Sequence, residues 1–177
     1  MKNLIKFFAV LLLVFGYTSC DELDKLTEFD IDTTLTGVIP VDVDGGENLV
    51  LNSNVRINIA DGGQDIVDNL NKIEKVKINS LTYKVMNFSG DDAGVMTVEL
   101  FADAVKLGEH TAVTVSSEVG VVYTINDTTT LNAIASKLKS GFDVVFKVEG
   151  TATSNPELGM MFDVEIKVDL EVTVDAG

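Results

Sequence analysis

A single histidine, a single cysteine and no tryptophan in 177 residues restrict the chemistry open to this chain. His110 follows Glu109 in a polar stretch, where a lone histidine is expected to be solvated. With no second histidine, no second cysteine and no G-x-S-x-G turn, the usual residues assemble neither a zinc centre nor a nucleophile triad. Adjacent carboxylates such as Asp91 and Asp92 are expected by chance in a chain with 28 acidic residues. The sequence therefore reads as non-catalytic.

Oxygen-rich loops are the remaining metal candidates. Asp42, Asp44 and Glu47 set three carboxylates around Gly45-Gly46, and Asp61 to Asp65 and Asp91-Asp92 offer similar groups. Calcium takes about six to eight such oxygens. None of the loops has the D-x-[DN]-x-[DN]-G spacing, and Asp-Gly is an ordinary turn signal. They read first as turns and only second as calcium sites, and no cofactor is expected. Sugar binding is disfavoured because sugar faces stack on exposed rings. Beyond residue 20 the tyrosines are Tyr83 and Tyr123, both within predicted strands.

The cysteine stands in a different context. Lys2 and Lys6 precede the apolar run Phe7 to Phe15, and Gly16, Tyr17, Thr18 and Ser19 follow it. Basic, apolar and small residues in that order form an export leader. At about 1.5 Å per residue the run covers about 14 Å, short of the roughly 30 Å of a membrane core, so the leader is expected to be removed. Tyr17-Thr18-Ser19-Cys20 resembles the lipobox of bacterial lipoprotein precursors, although Tyr17 stands where that family usually has leucine. The resemblance implies a diacylglycerol on the Cys20 thiol, cleavage before Cys20 and acylation of the new amine. The alternative is an ordinary secretory leader followed by a chance cysteine. Several acyl chains, at about 0.8 kcal/mol per buried methylene, hold a protein durably where a single chain does not. The expected address is a bacterial cell envelope, at the outer membrane or cell surface.

Charge narrows the partners. Removal of Lys2 and Lys6 leaves 11 of the 13 basic residues against 28 acidic ones, moving the net charge from −15 to −17. Such a surface repels phosphate backbones and anionic head groups, so nucleic acid is excluded and membrane contact falls to the lipid. Residues 20–28 read as an acidic tether that reaches about 25 Å when extended. Residues 29–177 then form one domain.

Within that domain the apolar period is mostly two. Alternation predicts strands over Phe29 to Val43 with an edge or bulge at Pro40, and over Leu49 to Ala60, the two forming a hairpin. Further strands fall at Val76 to Phe88 with a phase slip near Asn79 and Ser80 that suggests a bulge, Val95 to Ala102, Thr111 to Ile125 with a break or bulge near Gly120, Phe142 to Thr153 and Met161 to Asp175. Asp103 to His110 reads as a loop. In the last strand Phe162, Val164, Ile166, Val168, Leu170, Val172 and Val174 share one face and charged or polar residues the other, the habit of an antiparallel sheet with one wet side. Helical spacing appears at Ile66, Leu70 and Ile73, and at Leu131, Ile134 and Leu138, the second helix capped by Asp127 or Thr128 and stopped at Gly141.

The expected fold is thus mainly β: an antiparallel β-sandwich of about seven strands, immunoglobulin-like in general architecture, with two short amphipathic helices. An offset of 65 residues pairs Ile66 with Leu131, Ile73 with Leu138, Ser89 with Ser154, Gly94 with Gly159 and Met96 with Met161, which raises an internal pseudo-repeat. Two functions fit such a chain. One is a lipid-anchored, non-catalytic binding or structural module with a protein partner in the envelope. The other is a carrier of an apolar small molecule held between sheets and helices, lined in part by Met86, Met96, Met160 and Met161.

Overall fold

The computed structural model describes Glu28–Asp175. The expected export leader, the expected lipidation site Cys20 and the expected tether as far as Thr27 lie outside these residues. Among the described residues eight strands form two four-stranded antiparallel sheets. The strands are β1 (Glu28–Val43), β2 (Gly46–Asn58), β3 (Ile73–Gly90), β4 (Val95–Ala102), β5 (Val105–Thr114), β6 (Val122–Ile125), β7 (Asp143–Ser154) and β8 (Met160–Asp175). Sheet A has the order β1-β8-β3-β6 and sheet B the order β2-β7-β4-β5.

The pairs β1–β8, β2–β7, β3–β6 and β4–β5 are those of one long hairpin folded back between β4 and β5. The pairs β3–β8 and β4–β7 roll that hairpin into a sandwich. This is the strand order of a jelly roll. The expected antiparallel sandwich is therefore present, with eight strands in this particular order. Exchanging β1–β4 with β5–β8 carries every pair onto another pair, which is the pseudo-two-fold that a repeat would produce. The symmetry belongs to the topology and needs no duplicated sequence. The 65-residue offset sets the buried Met96 against Met161, which is 55% exposed, while the inward methionine of β8 is Met160.

β8 shows why the alternation folds this way. All seven of its apolar positions from Phe162 to Val174 are buried, and the residues between them point to water. It lies between β1 and β3, so its backbone is paired on both sides. β7 holds the matching place in sheet B, where Val144, Phe146, Val148 and Ala152 face inward. At Gly150 the sheet closes tightly: a β-carbon there would stand 2.1 Å from the Thr97 carbonyl oxygen on β4.

Several local expectations change. β1 and β2 do not pair with each other, because the chain crosses from sheet A to sheet B at their turn. Each strand then turns its apolar side toward the other across the core. The helix predicted through Ile73 is short and broken. A turn of 3-10 helix at Ile59–Gly62 leads to α1 (Gln64–Asp68) and a further 3-10 turn at Leu70–Lys72, and Ile73 already belongs to β3. Asp103 to His110 is not a loop, since most of it forms β5. The long run from Thr111 breaks near Gly120 as expected, where φ is +81°, and also, unforeseen, at α2 (Val115–Glu118). The bulge expected near Asn79 is present as a register shift between Ile78 and Ser80.

α3 (Thr128–Gly141) starts where predicted. Asp127 accepts a hydrogen bond from the Thr130 amide at 2.8 Å and caps the first turn. The left-handed residue at its end is Phe142, at φ +62°, in place of the expected Gly141. Ile134, Ala135 and Leu138 bury its apolar stripe, and the helix packs on β3 and β7.

Candidate functional site

The open side of the sandwich lies between the edge strands β6 of sheet A and β5 of sheet B, which α2 connects. Three of the chain's aromatic rings meet there. Tyr83 of β3 and Tyr123 of β6 occupy directly opposed positions in neighbouring strands. Period-two alternation therefore turns both rings inward, and they stack at 5.1 Å between centroids and 17° between planes. His110 of β5 approaches from the other sheet. Its Nε2 lies 3.0 Å from Tyr83 Oη, and its ring meets Tyr123 edge-on at 4.6 Å. Glu118, at the end of α2, accepts a hydrogen bond from the Tyr123 hydroxyl.

Both phenols hold their protons more tightly than a free tyrosine. Burial raises the pKa of Tyr83, with the nearby Glu118 carboxylate adding to the effect. Tyr123 is pushed up to about 12, first by its hydrogen bond to Glu118 and then by burial. Behind the rings the lining is apolar, with Val85, Val98, Leu100 and Phe162. The void there is about 30 Å³, room for a single water.

This placement revises the expectation for the histidine. His110 is half-buried and hydrogen-bonded to Tyr83 instead of solvated. Glu109, its neighbour in sequence, turns outward and pairs with Lys106 at 2.7 Å, which lowers its pKa. Once β5 is a strand, adjacent residues must face opposite sides.

The carboxylate loops are occupied with backbone. Asp91 accepts from the amides of Ala93 at 3.0 Å and Asn155 at 2.7 Å, tying the β3–β4 turn to the β7–β8 turn. Asp61 and Asn58 cap the 3-10 turn reciprocally. Asp42 and Asp44 line one open depression beside the β1–β2 turn with Glu157, whereas Glu47 is not part of it. Among the described residues no three histidine, aspartate or glutamate side chains come together closely enough to hold a metal ion.

Next to the aromatic cluster the surface is apolar. Val119, Val121 and Val122 are 43%, 40% and 58% exposed, on and beside the free edge strand β6. The opposite edge of sheet A, β1, carries Pro40, which removes a donor and blunts it against further pairing.

The molecule is thus an antiparallel β-sandwich with jelly-roll strand order and an aromatic cluster at its open side. No family model matches the sequence, and no curated protein matches it. Among solved structures the decameric BFDV capsid protein is similar, at 11% identity and a TM-score of 0.45 over 82% of this chain and 98% of that one. A Desmodium yellow mottle tymovirus structure matches at 10% identity and a TM-score of 0.43, covering 84% of this chain and 89% of that one. A virus-like particle of the nodavirus of the giant freshwater prawn Macrobrachium rosenbergii follows at 12% identity and 0.39, with 83% and 95% covered.

Proposed function

We propose that this chain is a lipid-anchored, non-catalytic binding module of a bacterial cell envelope, tethered through Cys20 and meeting a protein partner along β6. The observation that carries the reading is the group of exposed valines, Val122 on the edge strand β6 and Val119 and Val121 just before it, beside an edge with a free side. Edge strands of this kind accept a further strand, the backbone supplying affinity and alternate side chains supplying specificity. An apolar strip beside a free edge is costly to leave in water, so a partner that covers it gains both terms. A carrier of apolar molecules needs a cavity of roughly 300 Å³ or more, and about 30 Å³ lies behind the tyrosines. The binding module is therefore the reading the interior favours. The outer membrane or cell surface is its proposed address.

The test is cross-linking in the native host with a photoreactive residue at Val122, compared with the same residue at Val50. Val50 is 82% exposed on β2, the edge strand of sheet B at the opposite end of that sheet from β5. A discrete adduct at Val122 and none at Val50 is the expected result, and equal labelling at both would overturn it. The anchor is tested separately: Cys20→Ser should abolish labelling by radioactive palmitate and release the protein from the detergent phase on partitioning.

A further inference from the structure

We propose that the open depression between the β1–β2 and β7–β8 turns docks a basic segment of a partner protein, one that carries an apolar side chain beside its lysine or arginine. The depression has a volume of about 320 Å³ and is lined by the ends of β1, β3 and β8 and by residues 156–159. Strand register builds one side of it. Asp42 on β1 and Ser89 on β3 stand directly opposite Met161 on β8, and alternation turns all three to the outer face of sheet A while Val43 and Met160 enter the core. Met161 is thus an apolar side chain left 55% exposed between a carboxylate and a hydroxyl, and Leu158 of the β7–β8 turn, 62% exposed, is a second apolar group of the lining. The floor is rigid because the turns meet backbone to backbone: a β-carbon at Gly45 would stand 2.4 Å from the Asn155 carbonyl oxygen, and one at Gly90 2.5 Å from that of Gly159. A preformed surface loses little entropy when it is covered.

Charge selects the occupant. Asp42, Asp44 and Glu157 line the depression, and no lysine or arginine does. Among the described residues none of these three carboxylates has a hydrogen-bond or ion-pair partner. On the strand faces, by contrast, Glu99, Glu109, Glu149, Glu165 and Glu171 are each paired with a lysine. The three do not converge closely enough to hold a metal ion. The cation that suits them is the hydrogen-bonding head of a long side chain, which reaches carboxylates set apart around a rim. A purely polar basic segment would leave Leu158 and Met161 in water, whereas an apolar neighbour covers them, and a methionine side chain adapts to its shape. β1 begins at Glu28 and reaches the depression at Asp42, roughly 45 Å further on at about 3.3 Å per residue. In a chain held at Cys20 as proposed above, the depression therefore stands at the end away from the membrane, open to a partner approaching from the aqueous side.

Binding at this depression depends neither on the lipid anchor nor on the partner at β6. Its test is a random peptide library displayed on phage and panned on the full-length protein in detergent micelles at about 0.15 M salt, where long-range attraction is screened. Enriched peptides should carry lysine or arginine next to an apolar residue. Their affinity should fall about tenfold or more when Asp42→Asn, Asp44→Asn and Glu157→Gln are combined, and again when Leu158→Ser is combined with Met161→Thr. It should hold when Glu28→Gln, Asp32→Asn and Glu74→Gln are combined, which removes the same three charges from exposed positions away from the depression. All the substituted side chains are exposed, and far-ultraviolet circular dichroism verifies the fold of each variant. No enrichment over the unselected library, enriched peptides without basic residues, or a loss as large in the charge-matched control as at the depression would overturn the proposal.

Discussion

Gly108 makes room for the hydroxyl of Tyr83: a β-carbon at Gly108 would stand 2.5 Å from Tyr83 Oη and 3.4 Å from its Cζ. The two residues belong to different sheets, so this vacancy sets how closely β5 approaches β3 at the open side. Tyr83 is 8% exposed and its rigid ring cannot swing away cheaply. Gly108→Ala is therefore expected to cost about 1–3 kcal/mol, as overpacking does, and to break the hydrogen bond to His110. In a Tyr83→Phe background the clash loses its nearest atom, and the same alanine should cost measurably less. Urea midpoints of the four proteins give the coupling, and strict additivity would show that the two residues do not share this space.

The alkaline limb of stability should report the Tyr123–Glu118 hydrogen bond. The folded-state pKa of Tyr123 is about 12, above the 10.0 of a free tyrosine, and the hydrogen bond to Glu118 is the main cause. Between these values the folded chain keeps a proton that the unfolded chain has released, so stability is full below about pH 10 and falls as pH rises toward 12. Glu118→Gln should move the highest tyrosinate transition in an ultraviolet titration downward and flatten this alkaline loss. A titration that Glu118→Gln leaves unchanged would falsify the assigned cause.

The parts of the fold that were legible in the sequence are those set by local period. β8 alternates without interruption because one face is core and the other water, and the Asp127 cap declares the start of α3 by its own chemistry. β5 was not legible. Val105, Leu107, Gly108 and His110 are a poor strand pattern taken alone, and the strand exists because β4 pairs with it and because Tyr83 needs Gly108. The crossing of β1 to β2 between sheets is likewise a tertiary choice, since an in-sheet hairpin satisfies the same alternation. The cluster of Tyr83, His110, Glu118 and Tyr123 depends on pairing register across three strands. Its only sequence signal was that Tyr83 and Tyr123 fall at inward positions of predicted strands. The lone histidine gave no sign of its partner.

Gly150 should be among the least replaceable residues of β7. Its φ is +155°, and a β-carbon would lie 2.1 Å from the Thr97 carbonyl oxygen and 2.8 Å from Val98 Cα. Both obstacles are backbone of the paired strand β4, which cannot rotate aside as a side-chain tip does. Gly150→Ala is expected to cost about 3 kcal/mol and to loosen the β4–β7 ladder first. Amide exchange should therefore accelerate at Val98 and Leu100 before it does in β8. A variant as stable as the parent would mean that β4 yields more easily than its pairing implies.

On the acid side the outer face of sheet A should decide the slope. Glu165 is held below the usual glutamate value first by its hydrogen bond to Lys84, whose Nζ lies 2.9 Å away. Asp169 is lowered by hydroxyls on both neighbouring strands, Ser80 on β3 and Thr34 on β1, each at 2.7 Å. A carboxylate whose folded pKa lies below its unfolded one stabilises the fold above the ordinary carboxylate range, near pH 4, and loses that contribution as pH falls through the folded value. Thr34→Val combined with Ser80→Ala removes both donors to Asp169 and returns its pKa toward the usual one. Stability at neutral pH should then drop, and the further loss on acidification from about pH 5 to pH 2 should shrink. Urea midpoints measured across that range separate the two effects. A variant that is weakened equally at every pH would mean that the hydroxyls serve packing between the strands and not the charge of Asp169.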